Sequence, residues 1–284
     1  MSKVAVVTDS TSCIPLDLIE KYDIRVGLYH IIMEGMDYRD LIDITPAEFW
    51  SRFKTLKRLP TTAVLGPGEY IEIFNDLMKN TRDIVCVCIS KALSGAYESS
   101  SRAKEIFQID HPDVNIEIVD SKNSGGALGF AVLEAARAAE AGKNIKDVTQ
   151  AALDMVPRVK LLIALDTLKY LIIGGRAPKI AFIGELLRLK PIIGLMGDSG
   201  LVDSLGNARG KARAMQKLVE LVKEHADITG PLHVMVHYTD NIEDGKRLRD
   251  IVTSTYNCAE IHMTDFTPVM TTHTGPSLAI SFYS

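Results

Sequence analysis

Along its first half the chain alternates short β-branched runs with segments of helical period, the rhythm of an α/β protein. Strands are expected at 4–8, 24–32, 84–90 and 115–120, and helices at 15–22, 46–55, 67–80 and 94–108. Thr45-Pro46 and Gly66-Pro67 put proline where a helix can start without losing a hydrogen bond. Val85, Val87 and Ile89 interleave with Cys86 and Cys88 in a charge-free run, as a strand covered on both faces requires, so this strand is expected to be central in a parallel sheet. An alanine-rich helix over 127–141 stops at Gly142, and Asn144 caps another through Asp154. Past Pro157 the rhythm changes. A strand at 161–166, a turn at Gly174-Gly175, a helix over 180–189, strands at 192–196 and 200–204 around Gly197-Asp198-Ser199-Gly200, a helix over 208–225 and a strand at 233–237 read as α+β. The expected organisation is two domains, an N-terminal α/β/α domain with a mainly parallel sheet at 1–157 and a C-terminal α+β domain at 158–284. No repeat and no low-complexity linker separates them, so they are expected to pack against each other.

Composition narrows the function. With 284 residues, 46% hydrophobic and 24% charged, and a net charge of −4, the chain can bury two ordinary cores and has no basic excess for nucleic acid. No window reaches the roughly 18 apolar residues of a membrane-spanning helix. The opening MSKVAVVTDS turns polar too early for a secretory apolar stretch, which predicts a cytoplasmic location. Cys13, Cys86, Cys88 and Cys258 lack C-x-x-C spacing and are expected as reduced core residues. His225, His233, His237 and His262 show no metal-ligand spacing, and no metal or cofactor is expected.

The chemistry is concentrated in four polar clusters: Thr8-Asp9-Ser10-Thr11-Ser12, Ser90 with Ser94-Gly95, Asp120-Ser121 with Ser124-Gly125-Gly126, and Thr271 to Gly275. The first three follow expected strands, and ligands of open α/β sheets sit beyond the carboxyl ends of strands. Taken singly, each cluster is equally well read as caps and turns. Ser94-Gly95 falls at an expected helix start with only Lys91 nearby as a cation; unpaired N–H groups there favour a carboxylate or phosphate. Gly174-Gly175-Arg176 lacks Walker spacing and a following lysine, so it reads as a tight turn presenting Arg176 outward. His273 is placed in a Thr-rich loop before Gly275-Pro276.

These motifs, with Pro60-Thr61-Thr62, Leu93 to Tyr97, Leu168 with Tyr170-Leu171, Lys190-Pro191-Ile192 and His273-Thr274-Gly275-Pro276, resemble the DegV family of FakB-type fatty-acid-binding proteins over nearly the whole chain. The resemblance implies a non-enzymatic carrier that holds a long-chain fatty acid in an apolar tunnel, its carboxylate at the domain interface. On matching positions, Thr62, Ser94, Gly95, His273 and Thr274 are the implied carboxylate site. The implied partners are an ATP-dependent fatty-acid kinase, which makes the acyl-phosphate and meets Arg176 and, more weakly, Arg209, then an acyltransferase of phospholipid synthesis, with transient membrane contact. Ala63-Val64-Leu65 replaces the family's usual Ser-Gln-Pro, Ser277 a glycine and Ala96 a threonine, which implies a more apolar rim.

A second reading is a serine hydrolase of acyl esters using Ser94, His273 and an aspartate such as Asp120, but the G-x-S-x-G elbow is missing. A third, a stand-alone kinase, lacks a phosphate loop and clustered acidic metal ligands. Phe130, Ile163, Ile180, Phe182 and Ile193 are expected as core more than as tunnel wall.

Overall fold

The computed structural model describes residues 3–177, 189–196 and 199–284. The chain opens with β1 (Ala5–Asp9), α1 (Leu16–Tyr22), β2 (Arg25–Gly27), β3 (His30–Met33), β4 (Met36–Arg39), α2 (Pro46–Phe53), β5 (Thr61–Ala63) and α3 (Pro67–Leu77). It continues through β6 (Asp83–Cys88), α4 (Ala96–Asp110), β7 (Asn115–Asp120), α5 (Gly125–Glu140) and α6 (Ile145–Met155). Strands β2-β1-β6-β7 form a wholly parallel sheet with β1 and β6 inside, and β4-β3-β5 form a small antiparallel one.

The rest of the chain gives β8 (Lys160–Leu165), α7 (Lys169–Ile173), β9 (Leu189–Leu195), β10 (Asp203–Arg209), α8 (Lys211–His225) and β11 (Leu232–Tyr238). Then follow α9 (Ile242–Thr255), β12 (Cys258–Asp265), α10 (Pro268–Thr274) and β13 (Ser277–Tyr283). Their strands make one six-stranded sheet, β10-β9-β8-β13-β11-β12, antiparallel except between β11 and β12.

Two of the expected helix starts hold for the reason given. Thr45 and Glu48 cap α2 reciprocally, with Glu48 N–H donating to Thr45 Oγ1 at 3.3 Å and Thr45 N–H to Glu48 Oε2 at 3.0 Å. At α3 the Gly66 N–H donates to Glu69 Oε2 at 2.8 Å. The strand expected over 24–32 is instead two strands in two sheets. At the break, Tyr29 N–H donates to Ser10 Oγ at 3.2 Å and Tyr29 C=O accepts from Asp40 N–H at 2.8 Å, so neither group is left for a ladder. The helix expected from 208 starts at Lys211, because Ala208 and Arg209 pair with Lys190 and Leu189 in β10. Of the helix expected over 180–189, residues 180–188 lie outside the described residues and Leu189 instead opens β9; Gly197 and Asp198 of the expected turn also lie outside them. Cys258 is half-buried rather than core, while Cys13, Cys86 and Cys88 are buried.

Strand β8 alternates faces: Leu161, Ile163 and Leu165 join a core shared with the parallel sheet, whereas Leu162 and Ala164 join the core under α8 and α9. Helix α5 is buried along most of its length and packs on both large sheets. Its small residues permit this. A Cβ at Gly126 would lie 2.6 Å from His237 Nε2 and 2.9 Å from Met235 Cβ on β11, and one at Gly129 would lie 2.7 Å from the Ser12 carbonyl. Gly126→Ala is expected to lower the urea midpoint, because about 1–3 kcal/mol of overpacking on a buried strand exceeds the roughly 1 kcal/mol gained from helix propensity. An unchanged midpoint would show that the contact between α5 and β11 yields freely.

Candidate functional site

The site begins with the ends of the parallel strands. Asp9, at the end of β1, caps the 3-10 turn Ser10–Ser12 by accepting from Thr11 N–H at 3.0 Å and from the Thr11 hydroxyl. Its other oxygen accepts from Ile89 N–H at 3.0 Å, just beyond β6. One buried carboxylate thus holds two neighbouring strand ends, and its burial pushes its pKa up. Asp120 does similar work after β7, accepting from Lys91 N–H at 3.2 Å and Lys122 N–H at 2.9 Å. Ser90 donates to the Gly200 carbonyl at 2.7 Å, so the β9–β10 connection is fastened to the end of β6. Asp9, Ser90 and Asp120 therefore build loops; Thr11, Ser94 and Ser124 from the same clusters face a cavity.

That cavity, about 600 Å³ including its open part, lies between the parallel-strand ends and the β8–β9 face of the six-stranded sheet. Its apolar walls include Ile89, Leu93, Leu161, Ile163, Leu171, Ile193, Leu195 and Val202, with Val269 and Met270 from α10. Ile163 and Ile193 are buried core, as expected, and also line the cavity; Phe130 is fully buried core, and Ile180 and Phe182 lie outside the described residues.

Polar groups join the lining from three directions. Tyr29 OH and Ser94 Oγ are 2.5 Å apart, and Thr62 Oγ1 and His273 Nε2 are 2.9 Å apart. Arg176 Nε donates to the Leu93 carbonyl at 3.1 Å, next to Ser94, and Nη1 donates to the Gly174 carbonyl. The guanidinium is close enough to bear electrostatically on both His273 and Tyr29, so these five side chains form one polar end. Burial, reinforced by Arg176, pulls the His273 pKa down to about 4, leaving a neutral imidazole near pH 7. Its Nδ1 is buried and meets no protein partner among the described residues.

Several expectations change here. His273 lies in α10, which Pro268 opens at its first turn, and not in a loop. Arg176 follows the expected tight turn, with Gly175 at φ 73° and Arg176 N–H donating to the Leu171 carbonyl at 2.9 Å, but it is turned inward. Arg176 rather than Lys91 is the cation of the polar end. Helix α4 starts at Ala96, and the Ser94 N–H already donates to the Ser90 carbonyl at 3.1 Å, so only its hydroxyl, paired with Tyr29 OH, can face a ligand. Gly95 is exposed and outside the lining, and a Cβ there would meet only Val64 at 3.9 Å. Thr274 lines the cavity, yet its hydroxyl donates to the Met270 carbonyl at 3.1 Å within its own helix. Arg209 stands exposed on β10, away from the cavity. Sequence reasoning missed Tyr29, because it sits inside a run expected as one strand and the bonds that break that strand come from Ser10 and Asp40, distant in sequence.

The hydrolase arrangement does not form. His273 faces Thr62, Ser94 faces Tyr29, and Asp120 is engaged by two backbone N–H groups. A base with its pKa near 4 is also poorly matched to neutral pH.

Glycines of two motifs explain why they occur together. A Cβ at Gly174 would lie 2.5 Å from His273 Nδ1, and one at Gly275 would lie 2.2 Å from the Tyr170 ring. Each of these segments needs the other's glycine to close the wall formed by α7 and α10.

The sequence model of the DegV family matches residues 3–284. The chain belongs to the DegV family. A DegV domain-containing protein of Clostridium perfringens is 34% identical over 87% of this chain and 88% of its own length. A DegV family protein from Thermus thermophilus, described for its fatty-acid binding, superimposes with a TM-score of 0.90 at 26% identity, covering 99% of both chains. DegV of Bacillus subtilis, described as a fatty acid binding protein, gives 0.87 at 27% identity over 100% of this chain and 99% of its own. Among the described residues of this DegV chain, no helix is long and apolar enough to cross a membrane, and no cluster of three metal-binding side chains occurs.

The buried His273 sets a pH dependence. Unfolded, it takes up a proton below about 6.5; folded, it resists until about 4, so this site's stabilisation is complete above 6.5 and is lost as pH falls towards 4. Asp40, pushed up to about 7 by burial, works the other way, its contribution declining as pH rises from about 4 to 7. Comparing wild type with His273→Gln isolates the first effect. The stability difference between them should shift by about 3 kcal/mol in favour of the variant between pH 7 and pH 4, measured by urea denaturation. Parallel pH profiles would show that His273 is not held neutral.

Proposed function

We propose that this DegV protein binds a single long-chain fatty acid, its acyl chain along the apolar cavity and its carboxylate at the polar end formed by Thr62, Ser94, Arg176 and His273. The observation that bears most weight is the division of the cavity: long apolar walls from both large sheets, and hydroxyl donors with one guanidinium gathered at one place. Burying roughly 14 methylenes supplies on the order of 11 kcal/mol gross, so tight binding survives substantial ordering losses. The relatives from Thermus thermophilus and Bacillus subtilis, both described as binding fatty acids, support the same ligand class.

In this reading the protein is a carrier acting in the cytoplasm, with transient contact at the membrane. It presents the carboxylate to a separate ATP-dependent kinase, and the acyl-phosphate passes to an acyltransferase of phospholipid synthesis. Arg209, exposed on β10, is the residue proposed to face that kinase. Arg176 is reassigned to the ligand, since it lines the cavity beside Leu93, with its guanidinium held by the Leu93 and Gly174 carbonyls.

Mass spectrometry of a denaturing organic extract of the purified protein should find a stoichiometric fatty acid. An empty extract, together with no uptake of added palmitate or oleate, would overturn the proposal. Ser94→Ala and Thr62→Val should each weaken palmitate binding by about 1–3 kcal/mol, read by calorimetry on delipidated protein. Arg176→Ala should weaken it too, whereas Arg209→Ala should leave the lipid content unchanged and slow phosphorylation by the kinase.

A further inference from the structure

Tyr29 is the polar-end residue that no motif announced, and its surroundings are unusually determined. Its backbone N–H and C=O are both fixed from outside any strand, by Ser10 Oγ and Asp40 N–H. The side chain is 4% exposed and lines the cavity. Its hydroxyl lies 2.5 Å from Ser94 Oγ, and among the described residues Ser94 Oγ meets no other hydrogen-bond partner. Two hydroxyls sharing one bond leave one hydrogen over, and which group donates decides where that hydrogen points.

We infer that Tyr29 is a positioning residue for the ligand's head group: it donates its phenolic hydrogen to Ser94 Oγ, which turns Ser94's own hydrogen towards an acceptor-only oxygen in the cavity. This deepens the fatty-acid reading and rests on it. Burial, with Asp9 adding, holds the phenol pKa well above 10, so Tyr29 keeps its hydrogen at any working pH, and of the two hydroxyls 2.5 Å apart the phenol, being more acidic than the serine hydroxyl, is the better donor. Thr62 has a similarly placed partner behind it in His273 Nε2 at 2.9 Å, and Arg176 offers only N–H groups. An ionised carboxylate accepts from all of these and brings no hydrogen of its own. A primary alcohol of the same chain brings one, and meets an end built from donors. Tyr29 thus makes the site select an ionised acid over an alcohol of equal length.

The test measures binding of radiolabelled palmitate and hexadecanol to delipidated wild type, Tyr29→Phe, Ser94→Ala and the double variant. Phenylalanine keeps the ring and leaves the backbone bonds of residue 29 untouched, and a melting curve checks the fold of each variant. Tyr29→Phe should weaken palmitate about fivefold and leave hexadecanol unchanged, so that the acid-to-alcohol preference falls by the same factor. The double variant should bind palmitate no more weakly than Ser94→Ala, because the phenol acts through the serine. Palmitate binding by Tyr29→Phe equal to wild type, an equal loss for both ligands, or a loss that adds to that of Ser94→Ala would each overturn the inference. Wild type taking up neither ligand would instead mark the failure of the fatty-acid reading itself.

Discussion

The close approach of α5 to two sheets at once is the contact on which the remaining architecture depends. Where a helix meets a strand through glycine and alanine, backbones come nearer than larger side chains allow, and Gly126 and Gly129 bring α5 against β11 and the Ser12 carbonyl. The parallel sheet and the six-stranded sheet are thereby joined through one continuous core. With that spacing set, the carboxyl ends of β1 and β6 face the β8–β9 surface, and the gap between them is the cavity. Asp9 fixes the rim by tying the ends of both strands, a use of a buried charge that its three accepted hydrogen bonds make tolerable.

The polar end follows the rule that buried polar atoms find partners, with a difference. Ser94 and Thr62 each have a partner on a distant part of the chain, Tyr29 and His273, so their orientations are set before a ligand arrives. Neutral His273 beside Arg176 keeps one full positive charge at the site instead of two. A second buried cation there would have to be desolvated with no opposite charge from the surrounding side chains of the polar end.

Much of this was legible in the residues. The parallel strands 84–90 and 115–120, the buried alanine-rich helix and the proline-led helix starts follow from patterning that local structure and burial both obey. The polar clusters at strand ends were visible as well. Their internal division was not: Ser90 and Asp120 look as ligand-ready as Ser94, and only the Gly200 carbonyl and the Lys91 and Lys122 N–H groups decide otherwise. The inward turn of Arg176 depends on a carbonyl 83 residues away, at Leu93, a separation at which periodicity carries no information. Tyr29 was hidden for the same reason, since the bonds that break its strand come from Ser10 and Asp40. β12 escaped notice because as an edge strand it is only half-buried and mixes Glu260, His262 and Asp265 with its apolar residues.

The fastening of the β9–β10 connection to Ser90 has an evolutionary corollary. Leu161, Ile163, Ile193 and Leu195 come from the paired strands β8 and β9, with Arg176 on the connection between them, whereas the hydroxyls of Tyr29, Thr62 and Ser94 come from earlier segments. One apolar wall and the hydroxyl chemistry are therefore carried by different stretches of the chain. Drift in those strands can remodel one apolar wall while the hydroxyls stay put, so the shape of the cavity can change without any change at its polar end.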